Sequence, residues 1–306
     1  MTIIEVRDLH KRYGDKVAVD DVSFTVDEGE IFGVLGPNGA GKTTTVECLS
    51  GLRRPDSGHV RVADLDPIHD HEAVSSVLGV QLQESQLQPK LKVRDALSLY
   101  EAFYDDPESG IDLADRLGFT DRLDASYANL SGGQKQRLSI ALALIGRPRA
   151  VILDELTTGL DPQSRRETWQ LIQDIRARGV TVVLVTHLME EAHHLCDRVA
   201  VIDRGQVIAL DTPAGLIRST ASSTVMSFVA NTALEIGELE RQPDVTSVER
   251  DGPRVIVNGS DDSVTAILSL LAQRRIVAEQ LRVTDATLDD AFLSLVDRSD
   301  PEGVTP

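Results

Sequence analysis

Cysteine is almost missing: Cys48 and Cys196 are the only two in 306 residues, and no Cys-x-x-Cys spacing occurs. That excludes a disulfide-built scaffold and predicts two buried thiols in a reducing compartment. Aromatic residues are scarce at 4%, so the core must be built from Val, Ile, Leu and Ala. Long apolar runs are also lacking. Val182-Val183-Leu184-Val185 is typical of the longest, far short of the roughly 20 residues of a membrane helix. The start, Met1 to Arg7, carries charge where an export signal needs an apolar stretch. The expectation is a cytoplasmic chain that reaches a membrane only peripherally, through a partner. Positive charge is in deficit: 31 Lys and Arg, of which six are Lys, against 49 Asp and Glu leave a net charge of −18. This speaks against a nucleic-acid partner, which would need a basic face. What is present, 41% hydrophobic and 26% charged residues, is an ordinary globular balance, and the length suits about two domains.

The pattern along the chain predicts an α/β protein. Ile3 to Val26 alternates apolar and polar residues around a break at Gly14-Asp15, as a pair of antiparallel strands does. Ile31 to Leu35, Ala150 to Leu153 and Val180 to Val185 are continuous apolar runs, as in strands buried on both faces. Pro162 opens a helix that Gly179 stops, completing a parallel strand–helix–strand unit. Residues from about 84 to 148 form a helical insertion. Val199 to Leu210 turns at Asp203-Arg204-Gly205 as a closing hairpin. A small polar stretch at 220–223 marks a boundary between a domain of residues 1–220 and one of 221–306. The second domain reads strand, helix, strand, strand, helix, strand: Thr224–Val229, Thr232–Glu240, Val245–Glu249, Arg254–Val257, Ser263–Gln273 and Ile276–Val283. That order matches the ferredoxin-like pattern, and an amphipathic helix, Leu288 to Val296, comes after it.

Three motifs carry chemistry. Gly36-Pro37-Asn38-Gly39-Ala40-Gly41-Lys42-Thr43, followed by Thr44, fits G-x-x-x-x-G-K-[ST] between a buried strand and a helix. Its glycines let backbone N–H groups converge on phosphate oxygens, and the helix points its positive end at the same place. Lys42 adds charge for the terminal phosphates, and the Thr43 hydroxyl can ligate Mg²⁺. Val151-Ile152-Leu153 runs into Asp154 and Glu155. An aspartate at the carboxyl end of such a strand can hold Mg²⁺, and the glutamate beside it can polarise a water. Ser131-Gly132-Gly133-Gln134, after Leu130, opens a strongly helical run and offers a second anion site.

The run Leu130 to Gln134 resembles the signature sequence of the ATP-binding cassette (ABC) family, and every further motif of that family occurs in order over residues 2–218. The resemblance implies a RecA-like parallel core with an antiparallel β subdomain and a helical subdomain, binding ATP and Mg²⁺. It implies that Tyr13 stacks on adenine and that Gln83 contacts Mg²⁺ and senses a membrane partner, with Gln81 as the competing assignment. The resemblance also implies that Asp161 falls in the loop that crosses the dimer interface and that His187 is the switch histidine that contacts the γ-phosphate. Glu155, His187 and Lys42 are thus the expected catalytic set. His193 and His194 suit a helix surface. One departure stands out: the family usually has Pro after the acidic pair, and here Leu156 stands instead, which loosens the loop without removing a chemical group.

The run Thr157-Thr158-Gly159-Leu160-Asp161-Pro162 and the segment Thr287 to Leu293 are similar to the exporter branch that includes the daunorubicin-resistance type. That branch implies an ATPase homodimer closing on MgATP to drive a separate transmembrane permease, with drugs, lipids or other hydrophobic compounds as the cargo class. The competing reading is a soluble cassette ATPase without a permease, of the iron–sulfur assembly type. A small-acceptor phosphotransferase would leave the signature unexplained.

Overall fold

The structure, a computed structural model, describes residues 1–82, 87–219, 224–232 and 234–298, which divide into two compact units, Met1–Thr212 and Pro213–Pro306. In the first unit, β1 (Thr2–Tyr13) and β2 (Lys16–Asp27) form a hairpin over the two-residue turn expected at Gly14-Asp15. β3 (Ile31–Leu35) leads into the phosphate loop and α1 (Lys42–Leu49). β4 (Ser57–Val62) pairs with β1, giving an antiparallel sheet of order β2-β1-β4. Next come α2 (His71–Val77) and β5 (Leu78–Gln81). The expected helical insertion holds α3 (Val93–Glu101), α4 (Gly110–Arg116) and α5 (Gly132–Leu144). β6 (Ala150–Asp154), α6 (Pro162–Ala177), β7 (Thr181–Thr186), α7 (Met189–Leu195), β8 (Arg198–Asp203) and β9 (Gln206–Asp211) complete the unit.

The main sheet has the order β5-β6-β7-β3-β8-β9, parallel throughout except for β9. β3, β6 and β7 are buried at every position, which accounts for their mostly apolar sequences, rich in Val, Ile and Leu. Leu35 pairs with Thr186, and Asp154 with Val185, so the carboxyl ends of all three strands finish level. One core joins both sheets through Val6, Val22, Phe24, Phe32, Ile152 and Val183.

In the second unit α8 (Pro213–Ser219) precedes β10 (Thr224–Ala230), α9 (Ile236–Glu240), β11 (Val245–Asp251), β12 (Arg254–Gly259), α10 (Asp261–Gln273), β13 (Ala278–Asp285) and α11 (Leu288–Arg298). The sheet order β11-β12-β10-β13, antiparallel throughout, is the ferredoxin-like arrangement of a split strand–helix–strand unit. Ile267 and Leu271 of α10 pack on Met226, Phe228, Val255 and Val257. The helix expected from Thr232 starts only at Ile236, because Leu234 is buried in this core from an irregular segment. The division at 212/213 precedes the polar stretch at 220–223, because α8 packs with α11.

Gly79 in β5 passes so close to α5 that an added Cβ would collide with the Ala143 carbonyl oxygen. Gly79→Ala is expected to lower stability by about 1–3 kcal/mol through overpacking, read as a lower urea midpoint. An unchanged midpoint would show that β5 and α5 can separate freely.

Candidate functional site

The hairpin, the phosphate loop and the β6 exit enclose a cavity of about 340 Å³, lined by Tyr13, Lys16, Ala18, Asn38, Gly39, Gly41, Lys42, Thr43, Thr44 and Glu155. Gly36 and Ala40 are buried beneath it, and Pro37 is half-buried. The loop is pinned from both sides. The Gly205 N–H donates to the Ala40 carbonyl at 2.8 Å, and the Asp20 N–H to the Gly205 carbonyl at 2.7 Å. Gly41 caps α1 with φ +107°, and a Cβ there would strike the Ala18 carbonyl. Only glycine meets both demands.

Lys42 is buried, and its Nζ donates to the carbonyls of Gly36 at 2.7 Å and Pro37 at 3.0 Å. Burial pulls its pKa below the usual ammonium range, opposed by the negative charges of Glu155 and Asp154. The arrangement is a desolvated cation under a loop of backbone donors, which can hold a triphosphate.

At the end of β6 the Asp154 N–H donates to Gln81 Oε1 at 3.1 Å, deep in the protein. Gln81 Nε2 in turn donates to the Leu82 carbonyl at 3.0 Å, so both ends of that amide are engaged. Gln83 lies outside the described residues. Glu155 adopts φ +48°, a left-handed conformation rare outside glycine, and its N–H donates to the Val185 carbonyl at 2.8 Å. Its Oε1 lies 3.2 Å from His187 Nδ1, just past the end of β7. A carboxylate held by an imidazole beside a phosphate loop is suited to take a proton from a water.

The other sequence-derived residues stand apart from this cavity. Ser131 caps α5 in a reciprocal box: its Oγ accepts from the Gln134 N–H at 3.3 Å, and Gln134 Oε1 accepts from the Ser131 N–H at 3.0 Å. Ser131 and Gly132 are exposed, and none of Ser131, Gly132, Gly133 or Gln134 lines the cavity. Asp161 caps α6 by accepting from the N–H groups of Gln163 and Ser164. His193 and His194 are exposed on α7, and His194 stacks on Trp169 with ring centres 5.0 Å apart.

Sequence reasoning missed Lys16 and Ala18. The signal was in the hairpin: a two-residue turn places Lys16 directly across from Tyr13. The exposed Tyr13 ring carries the Arg53 guanidinium 5.3 Å from its centre. Gly41→Ala is expected to abolish binding of a fluorescent ATP analogue at concentrations that saturate the parent. Gly39→Ala, whose Cβ would meet nothing within 4 Å but whose φ of +82° is strained for any L side chain, should bind more weakly than the parent yet retain measurable binding in the same titration. Equal binding by the two variants would contradict the pinned loop.

A family profile described as ABC transporter matches residues 19–158. A Nod factor export ATP-binding protein I of Rhizobium etli is 34% identical over 304 residues, covering 97% of this chain and 94% of its own. A daunorubicin resistance ATP-binding protein of Streptomyces coeruleorubidus is 35% identical over 303 residues, covering 96% of both chains. Among solved structures, the ATP-binding subunit of an ABC transporter superposes with a TM-score of 0.65 at 28% identity, over 71% of this chain and 92% of the other. A dimeric ATP-binding cassette in a post-hydrolysis state, bound to ADP and Pi, gives 0.61 at 25% identity, over 68% and 98%. Both relatives match across nearly the whole chain, and the chain belongs to the ABC transporter family as one of its ATP-hydrolysing cassettes.

Proposed function

We propose that the chain is the ATPase subunit of an exporter, in which two copies close face to face on MgATP and drive a separate membrane permease. One observation carries the dimer. The cavity around Lys42 offers donors on one side of a triphosphate, whereas the amide-rich start of α5 is exposed and contributes nothing to it. A second copy can supply that missing face, with Ser131, Gly132 and Gly133 donating to the γ-phosphate and Gln134 and Asp161 at the seam. The exporter assignment is supported by the relatives named for Nod factor export and daunorubicin resistance, which resemble this chain over nearly its whole length.

In this reading adenine stacks on Tyr13, and the phosphates lie over the N–H groups of residues 36–44. The β- and γ-phosphates take the Lys42 donors now given to Gly36 and Pro37. The residues fit Mg²⁺: Thr43 opens onto the cavity and Asp154 ends the adjacent strand. A small hard cation of this kind binds few protein oxygens and relies on phosphate and water for the rest. Thr43 and Asp154 would hold it, with Gln83 as the third contact, and when bound it neutralises phosphate charge. Glu155 accepts the proton of the attacking water while His187 orients it and meets the γ-phosphate. Water adds to phosphorus, the β–γ bridging bond breaks, and ADP and phosphate part the two copies.

Two features suit a permease. Leu99 and Phe103, on and just beyond α3, are exposed at 48% and 68%. Val80, Gln81, Leu87, Tyr100, Ser139, Leu142 and Ala143 line a cavity of about 190 Å³ nearby. An apolar helix end from a membrane subunit on the inner face of the membrane would fill this recess. Among the described residues no helix of the chain itself is long and apolar enough to cross a membrane.

Glu155→Gln is expected to bind MgATP, turn over at least about a hundredfold more slowly than the parent, and elute as a dimer with ATP but not with ADP. Adding Ser131→Arg to that variant should return it to a monomer while leaving nucleotide binding in place. Parental turnover by Glu155→Gln would remove Glu155 as the base, and a monomeric ATP-loaded form would remove the two-copy site.

A further inference from the structure

Behind the catalytic carboxylate lies a second one. Glu191, on α7, is sealed from solvent, with 0% of its surface exposed. Its Oε1 accepts two hydrogen bonds, from Thr157 Oγ1 at 2.8 Å and from Trp169 Nε1 at 3.0 Å. Its Oε2 is buried and has no hydrogen-bond partner among the described residues. A carboxylate buried this deeply is costly, and it survives only where its bonds achieve something an apolar residue would not.

The position of the two donors shows what the bonds achieve. Thr157 is buried in the loop two residues beyond Glu155, and Trp169 is buried on α6, whose cap Asp161 ends that loop. The loop therefore meets the α7 segment at two points, Glu155 on His187 and Thr157 on Glu191. The first residue of the loop holds the strained φ of +48°, a conformation that persists only where its surroundings over-determine it. Leu156 leaves its own φ unrestrained, where proline would have fixed it. Its side chain is buried instead, so the loop is stiffened by contacts rather than by covalent constraint.

We infer that Glu191 is a positioning residue for ATP hydrolysis. By fixing Thr157 and Trp169 it holds Glu155 against His187, facing the phosphate loop. The inference rests on the reading of Glu155 as the base.

The test is steady-state ATPase kinetics with thermal melting on the full chain, for Glu191→Ala, Glu191→Gln, Thr157→Val and Glu155→Gln side by side. Glutamine keeps a carbonyl oxygen where Oε1 stands, so Glu191→Gln should keep kcat within about threefold of the parent. Glu191→Ala leaves two buried donors unpaired and should lower kcat by about ten- to a hundredfold with KM for MgATP little changed. Thr157→Val, close in shape, should lower kcat in the same direction, while the bond it takes from the buried carboxylate costs about 1–3 kcal/mol of stability, so its melting temperature should fall less than that of Glu191→Ala. A purely structural role would lower the melting temperature and leave the kcat of the folded protein intact.

Parental kcat in Thr157→Val overturns the inference, and that variant decides alone if Glu191→Ala does not fold. Equal loss in Glu191→Gln and Glu191→Ala overturns it as well, since acceptor geometry would then not be the cause. Parental turnover in Glu155→Gln instead overturns the base assignment, whatever the Glu191 variants do.

Discussion

The chemistry of this cassette depends on the level finish of three parallel strands. β6, β7 and β3 lie side by side, and their register brings Asp154, Thr186 and Leu35 to one edge of the sheet. Lys42, Glu155 and His187 are far apart along the chain, yet each leaves that edge within a few residues of a strand end. A ligand crevice at the carboxyl ends of the strands is what a doubly wound α/β sheet produces by topology alone. A one-residue slip between β6 and β7 would move the carboxylate away from the imidazole, and one between β3 and β7 would move the phosphate loop away from both.

Where a motif coincides with a local physical requirement, it could be read from the sequence. The phosphate loop is such a case, since glycines between a buried strand and a helix have few other uses, and Gly41 with φ +107° shows the requirement directly. The parallel core was legible through its apolar runs, and the second unit through its order of elements. Contacts that join distant segments were not legible. No local pattern ties Glu191 to Thr157 and Trp169, because a glutamate on a short helix usually faces water. The late start of α9 was hidden for a similar reason: Leu234 has a helical neighbourhood in sequence but is drawn into the core by β10, β12 and α10.

The second unit adds a self-contained sheet with its own apolar core. No cluster of three His, Cys, Asp or Glu able to hold a metal occurs among the described residues. Its core of Met226, Phe228, Val255, Val257 and Ile267 is an ordinary apolar sandwich of sheet and helix. The solved cassettes cover about 70% of the chain, whereas the Nod factor export and daunorubicin resistance relatives cover nearly all of it.

Transport requires more of ATP than tight binding. A ligand with equal affinity for the open and closed dimers would shift nothing, so the closed form must make contacts that the open one lacks. In the proposed two-copy site those contacts are divided between surfaces that no single copy brings together: the desolvated Lys42 under its loop, and the exposed start of α5. Moving such an equilibrium from about 1:99 to 99:1 needs roughly 5.5 kcal/mol of differential affinity. Several charge-assisted hydrogen bonds to a γ-phosphate, each worth about 1.5–3 kcal/mol, are of that size. Hydrolysis removes that phosphate and, with it, the contacts that held the copies together. The role inferred for the buried Glu191 fits that proposed cycle, because a loop that releases its partner after each turnover has to return Glu155 to the same φ before the next.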